Sequence, residues 1–267
     1  EVSEVANIYM LLVGKAGKTV ELTVSSEPNT KGSWKTYIKP VDDESELYYF
    51  EWVQENIKKV NEASDGRVGY VHIPDMGVHG LNEFVKYFYP QITKEALIVD
   101  DRGNGGGNVS PMIIERLRRE VIRMGDPRNV ETPYTVPGAM INGPVVMLIN
   151  QYSASDGDLF PYAFKKLDMG TVIGVRTWGG IIGIRGSLPF VDGGDLRKPE
   201  FGTWSAEDGK WMVEGVGVEP DIEVDNDPAR EYKGIDDQLN KAIEVILKQL
   251  AETDPMPEQK PYPDKSK

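Results

Sequence analysis

The sequence predicts an α/β fold, a mixed and mostly parallel sheet flanked by helices, and three observations carry that reading. Continuous apolar runs of strand length recur, as in Ala96-Leu-Ile-Val99 and Pro144-Val-Val-Met-Leu-Ile149. They alternate with segments whose apolar residues repeat at helical spacing, and glycine- or serine-rich turns join the two kinds of segment. A strand buried on both faces reads as an unbroken apolar run, as parallel strands between helices do.

Composition fits a globular body. Of the 267 residues 39% are hydrophobic, enough for a sizeable core, and no apolar run approaches the ~20 residues that span a bilayer. No membrane insertion is expected. Forty-three acidic residues against thirty basic give a net charge of −13, which disfavours nucleic acid as a partner. With no cysteine, disulfides and thiolate metal sites are excluded, and no metal or other cofactor is expected.

In chain order, residues 8–12 read as a short helix, followed by a glycine turn and the alternating strand Thr19–Val24. The polar stretch 27–33 precedes a strand over 34–40 and a helix from about Glu44 to Glu62. Then come strand 68–74, a helix near 80–89, strand 96–100, helix 110–124, strand 144–149, helix 156–167 and strand 171–175. In helix 110–124, Ser110 is the N-cap candidate, Pro111 takes the first helical position, and Ile113, Ile114, Leu117 and Val121 form the buried stripe. Leu159, Ala163 and Leu167 mark the buried side of helix 156–167. Arg116, Arg118, Arg119 and Arg123 read as the solvated face of their helix. Near the end Leu239, Ala242, Ile243, Ile246 and Leu250 make one apolar stripe, packed on the body or on a partner subunit. The proline-rich tail 254–267 reads as flexible.

Two junctions carry chemistry. Ser155-Asp156 lies where the apolar run ending at Ile149 turns into a helix, so the serine hydroxyl and the first helical amides face the same way. A plain N-cap with Asp156 and Asp158 favouring the helix dipole gives the same pattern. The second junction is Asp100-Asp-Arg-Gly-Asn-Gly-Gly-Gly107. It lacks the Gly-Lys-Ser/Thr ending of a phosphate loop and the spacing of a dinucleotide fingerprint. An oxyanion hole fits better, with one glycine amide and that of Asp156 converging on a tetrahedral intermediate.

Together with Gly69-Tyr-Val-His-Ile-Pro-Asp-Met76, Gly174-Val-Arg-Thr-Trp-Gly-Gly180 and Glu214-Gly-Val-Gly-Val-Glu-Pro-Asp221, these blocks resemble the family of tricorn-type and tail-specific (carboxyl-terminal processing) serine proteases over roughly residues 30–225. The resemblance implies a crotonase/ClpP-like superfold, serine peptidase activity on peptide substrates, a homo-oligomer in the full-length protein and a cytoplasmic location, with periplasm or secretion left open. Ser155 is then the nucleophile, and the Asp156 amide with that of Gly106 or Gly107 forms the oxyanion hole.

The tail-specific branch places a lysine base about two dozen residues past its serine. Here Gly180 holds that place, and Lys165 and Lys166 lie about three helical turns, roughly 15 Å, beyond Ser155. The tricorn branch uses a histidine from an N-terminal segment. The chain has two histidines, His72 in a strand and His79 after a turn, and neither matches that segment. The resemblance therefore places the base outside these residues. Residues 1–26 resemble the closing part of a PDZ-like domain, 27–66 connect, and 67–253 form the catalytic core, which makes the chain the C-terminal piece of a longer protein, inactive in isolation. Glu214 is implied to orient the serine and histidine, or is a surface carboxylate beside a glycine turn. Asp126 is implied as a selector of basic substrate side chains. A non-catalytic binding domain and a crotonase-like acyl-CoA enzyme are the alternative readings.

Overall fold

A computed structural model describes residues 5–127, 133–186 and 188–255. The chain divides into two compact units, 1–54 and 55–267. In the first, a 3-10 turn over Ile8–Leu12 precedes strands β1 (Val20–Val24) and β2 (Trp34–Ile38), which pair antiparallel with Val20 opposite Ile38. The expected boundary at residue 26 therefore falls between two paired strands. Helix α1 (Ser45–Ala63) contains the point where the two units divide.

The second unit is built on a five-stranded sheet in which every pairing is parallel. Its strands are β3 (Val68–His72), β4 (Ala96–Asp100), β7 (Val145–Ile149), β8 (Thr171–Gly174) and β11 (Ile222–Glu223), in spatial order β11-β8-β7-β4-β3. Antiparallel pairing occurs in separate two-stranded ladders, β5 (Arg123–Gly125) with β6 (Tyr134–Val136) and β9 (Gly183–Gly186) with β10 (Arg197–Phe201).

Alternation along the strands sorts the core into two layers. Val71, Leu97, Val99, Val145, Met147 and Ile149 face α2 (Val78–Phe88), α3 (Ser110–Leu117) and α4 (Asp156–Lys166), meeting Phe84, Ile113 and Phe160. Val68, Tyr70, Ala96, Ile98, Val146 and Leu148 face the other way, against Leu239, Ala242, Ile246 and Leu250 of α6 (Asp237–Glu252), which follows the short helix α5 (Pro228–Glu231). That stripe thus packs on the body. Burying one such aliphatic side chain contributes about 1.5–3 kcal/mol.

Four expectations are corrected. The helix expected over 110–124 ends at Leu117, and Arg123 enters β5 instead. Val121 and Ile122 are β-branched and stiff in a helix, and the Ile122 N–H bonds the Val136 carbonyl, so ladder pairing takes over there. Ser110 is the first helical residue rather than the cap, a place held by Val109. The buried side of α4 is Phe160 and Phe164, while Leu167 is exposed at its end, because the larger aromatic surface claims the core. His79 also lies in α2 rather than a loop. The expected flexible tail, from residue 256 onward, lies outside the described residues.

One buried ion pair ties α6 to the sheet. Arg102 donates to Asp100 through Nε (2.9 Å) and Nη2 (2.6 Å), and its Nη1 reaches Asp236 (3.0 Å) and Gln238 (3.1 Å). Asp236 is also the N-cap of α6, accepting from the Leu239 N–H. Burial works against the Asp100 carboxylate, but Arg102 outweighs it and holds the group below the ordinary carboxylate range. Removing one partner leaves the other charge buried and unpaired. Asp100→Ala or Arg102→Ala should therefore destabilise the unit by about 3–5 kcal/mol in chemical denaturation at pH 7. Because the folded-state value of Asp100 is lowered, its contribution is complete above about pH 4 and is lost as pH falls further. An acid titration of Asp100→Asn lacking none of the wild-type acid loss would contradict this.

Candidate active site

Two neighbouring strands end side by side and launch the two chemical segments. β4 and β7 pair with Asp100 opposite Leu148. The glycine-rich loop leaves the carboxyl end of β4, and the Ser155 turn leaves the carboxyl end of β7, the edge where open α/β sheets hold their ligands.

Asn104 stitches the two together. Its Nδ2 donates to the Ile73 carbonyl (3.0 Å) and to Asp101 Oδ1 (2.9 Å), its Oδ1 accepts the Gly106 N–H (2.9 Å), and its own carbonyl accepts the Ala154 N–H (2.8 Å). The side chain is fully buried, so every one of these bonds counts. A local reading of the glycine run gave no cue to it.

Ser155 sits at the N-cap of α4 with φ 58° and ψ −119°. A non-glycine residue is rarely found there, and holding one costs about 1–3 kcal/mol. Gly106 packs directly against it, for a Cβ built on Gly106 would lie 2.5 Å from the Ser155 Cβ and 3.0 Å from the Asp156 nitrogen. Only glycine fits at that approach. At Gly107 a Cβ would lie 2.1 Å from the Met76 carbonyl oxygen, with φ at +150°. The two glycines differ in their amides. That of Gly106 is committed to Asn104, whereas among the described residues no hydrogen bond occupies the amide of Gly107 or of Asp156.

The carboxylates around the turn each have a distinct task. Asp156 is buried and accepts both the N–H (3.0 Å) and the hydroxyl of Ser110, which explains why Ser110 does not cap its own helix. Asp158, also fully buried, accepts the amides of Ser155 (2.9 Å), Gly179 (2.7 Å) and Gly180 (3.2 Å). The Gly180 carbonyl in turn accepts the Ser155 N–H at 3.1 Å. Glu214, exposed, uses Oε2 to accept the amides of Ile181 (2.7 Å) and Ile182 (2.9 Å). It thus joins Ser155 through the segment 179–182, not by a direct bond. The spacing Ser155-Asp-Gly-Asp158 is the signal of a capping box, which foretells the Ser155 amide contact but not the two long-range ones.

Ser153, two residues away, is fully buried and its hydroxyl donates to the Asp101 carbonyl (2.8 Å). Burial lowers the pKa of His72, and its Nε2–H donates to the Arg102 carbonyl (2.9 Å). His79 Nδ1 meets Asp75 at 3.0 Å. A Cβ at Gly180 would lie 2.4 Å from the exposed Trp178 ring, which would have to turn aside to admit a side chain there. Lys165 pairs with Asp221 at 2.7 Å, and Lys166 pairs with Glu207. Asp126 is exposed and directly follows β5, the strand paired with β6 in a separate ladder.

The model of peptidase family S41 matches residues 67–224. The tricorn protease of Thermoplasma volcanium is 40% identical over 91% of the chain, and tricorn protease homolog 1 of Streptomyces coelicolor is 41% identical, also over 91%. A tail-specific protease of Haemophilus influenzae is 27% identical over 67% of the chain. The chain spans only 22–26% of the length of these three relatives. It superposes on the crystal structure of the tricorn protease with a TM-score of 0.85 at 39% identity, covering 92% of this chain and 24% of that one.

Asp101, at the start of the loop, gives the site a pH dependence. It is fully buried, its Oδ2 has no hydrogen-bond partner among the described residues, and burial, followed by the charge of Asp100, pushes its carboxyl well above the usual range. A carboxyl raised in the folded state supports the fold fully below the unfolded value near 4, and that support drains away as pH rises toward the folded value. Asp101→Asn, neutral throughout, should therefore gain stability relative to wild type between pH 4 and pH 7 in paired denaturation curves. Curves that stay parallel across that interval would show that Asp101 is charged in both states.

Proposed function

The chain belongs to peptidase family S41, and on that premise we propose that it carries the nucleophile and oxyanion hole of a tricorn-type serine peptidase acting on peptides. The observation that supports this most is the Ser155 turn, a strained serine at a strand-to-helix junction with the Gly106 backbone against its Cβ and two uncommitted amides, Asp156 and Gly107, on the neighbouring backbone. Such a turn exposes a nucleophile in the manner of a nucleophile elbow.

In this reading Ser155 Oγ attacks the scissile carbonyl and the resulting oxyanion is held by the N–H groups of Asp156 and Gly107. Gly107 is preferred to Gly106 because the Gly106 amide already serves Asn104. The proton from Ser155 passes to a histidine outside these 267 residues and then to the leaving amine. Glu214 orients the pair by holding the segment next to Ser155, and Asp126 is the residue to test for selection of basic side chains by its effect on KM for Arg and Lys peptides.

A fluorophosphonate probe on the full-length protein tests the nucleophile. Ser155→Ala should abolish labelling and peptide turnover, while Ser153→Ala, which loses two hydrogen bonds worth about 1 kcal/mol each, to the Asp101 carbonyl and from the Asn150 N–H, should retain most of both. The 267-residue chain alone should turn over peptides negligibly, and the upstream segment should restore activity. Labelling that persists in Ser155→Ala would move the nucleophile elsewhere, and an unlabelled wild type would favour a binding domain.

A further inference from the structure

Four consecutive backbone amides, Gly179 through Ile182, end on two carboxylates. Asp158 takes the first two and Glu214 takes the second two. The jaws differ in character, because Asp158 is fully buried while Glu214 is exposed. Only Asp158 also reaches the residue that carries the hydroxyl, through the Ser155 N–H at 2.9 Å. Ser155 N–H is shared with the Gly180 carbonyl, so nucleophile turn and clamped segment close into one hydrogen-bonded ring.

We infer that Asp158 is the positioning residue that keeps Ser155 in its left-handed conformation, by anchoring the Ser155 amide and the 179–180 segment to one buried carboxylate. The inference rests on the reading of Ser155 as nucleophile for its catalytic meaning, but its structural content stands apart from it. A serine with φ at +58° relaxes to an ordinary conformation unless its surroundings forbid it. Three amide bonds to a single, fully buried carboxylate supply that restraint, and bonds to a charged acceptor are about twice as strong as neutral ones. A neutral amide in its place offers one acceptor oxygen and turns an NH2 toward at least one of the backbone donors. The restraint would then fail on one side.

The experiment separates holding from chemistry. Glycine adopts positive φ without cost, so Ser155→Gly should raise the folding equilibrium constant severalfold in the Asp158 background, where the strain is enforced. In Asp158→Asn, whose turn is free to relax, the same change should gain nothing, leaving a coupling of at least about threefold in a double-mutant cycle. If Asp158→Asn does not fold, Asp158→Glu, which keeps the charge on a longer arm, takes its place in the cycle. Additive effects of the two substitutions would overturn the proposal. In the full-length protein, Asp158→Asn should slow acylation by a fluorophosphonate about 100-fold or more with little change in KM for peptides, since a small displacement of an attacking atom has that effect. An additive cycle with wild-type acylation refutes the positioning role, whereas a coupled cycle in a protein that no probe labels refutes the nucleophile and leaves the restraint in place.

Discussion

The register of β7 against β4 is the constraint on which the rest of the site depends. With Leu148 opposite Asp100, both strands end at the same level of the sheet, so the glycine loop and the serine turn emerge as neighbours. The Asp101 N–H extends that pairing to the Leu148 carbonyl, and Ser153 returns a hydroxyl to the Asp101 carbonyl. A slip of one residue would turn every side chain of β7 to the opposite layer, exchanging the residues that meet α4 for those that meet α6. The two apolar layers therefore fix where this hydrogen-bonded site forms.

Around this junction the fold buries four aspartates and treats each differently. Asp100 keeps its charge because Arg102 and the Tyr70 hydroxyl (2.7 Å) meet it. Asp156 is met by one serine, and Asp158 by three backbone amides. Asp101, with one oxygen on Asn104 and the other unpartnered among the described residues, has its carboxyl raised by burial. A buried carboxylate needs either a counter-charge or several donors, and where the donors run out the proton stays on. The donors in this region are mostly loop amides, so charge and loop conformation support one another.

The loops on this edge are thus held by polar contacts while the helices are held by apolar ones. Gly106 and Gly107 allow backbone to touch backbone, which brings amides within reach of the serine turn but leaves no side chain to pack. Buried carboxylates and Asn104 replace that missing packing. The chain spans roughly a quarter or less of its tricorn relatives.

What the sequence by itself determined was everything that short-range pattern encodes. The apolar runs located β4 and β7 within a residue, the glycine run and Ser155 were seen as strand-to-helix junctions, and the ordered blocks named the family that the model of family S41 then matched. Tertiary structure alone decided which partner each polar group found. Asp158 read as a dipole residue until Gly179 and Gly180, more than twenty positions away, came to it. Ser110 read as a cap until Asp156 claimed its hydroxyl. The Gly106 amide, one of two alternatives in the glycine run, was found to donate to Asn104. Periodicity reports which face of an element is buried, because that depends on neighbours along the chain. It is silent on which donor meets which acceptor across a closed sheet, because that depends on how the strands pair and where their loops land.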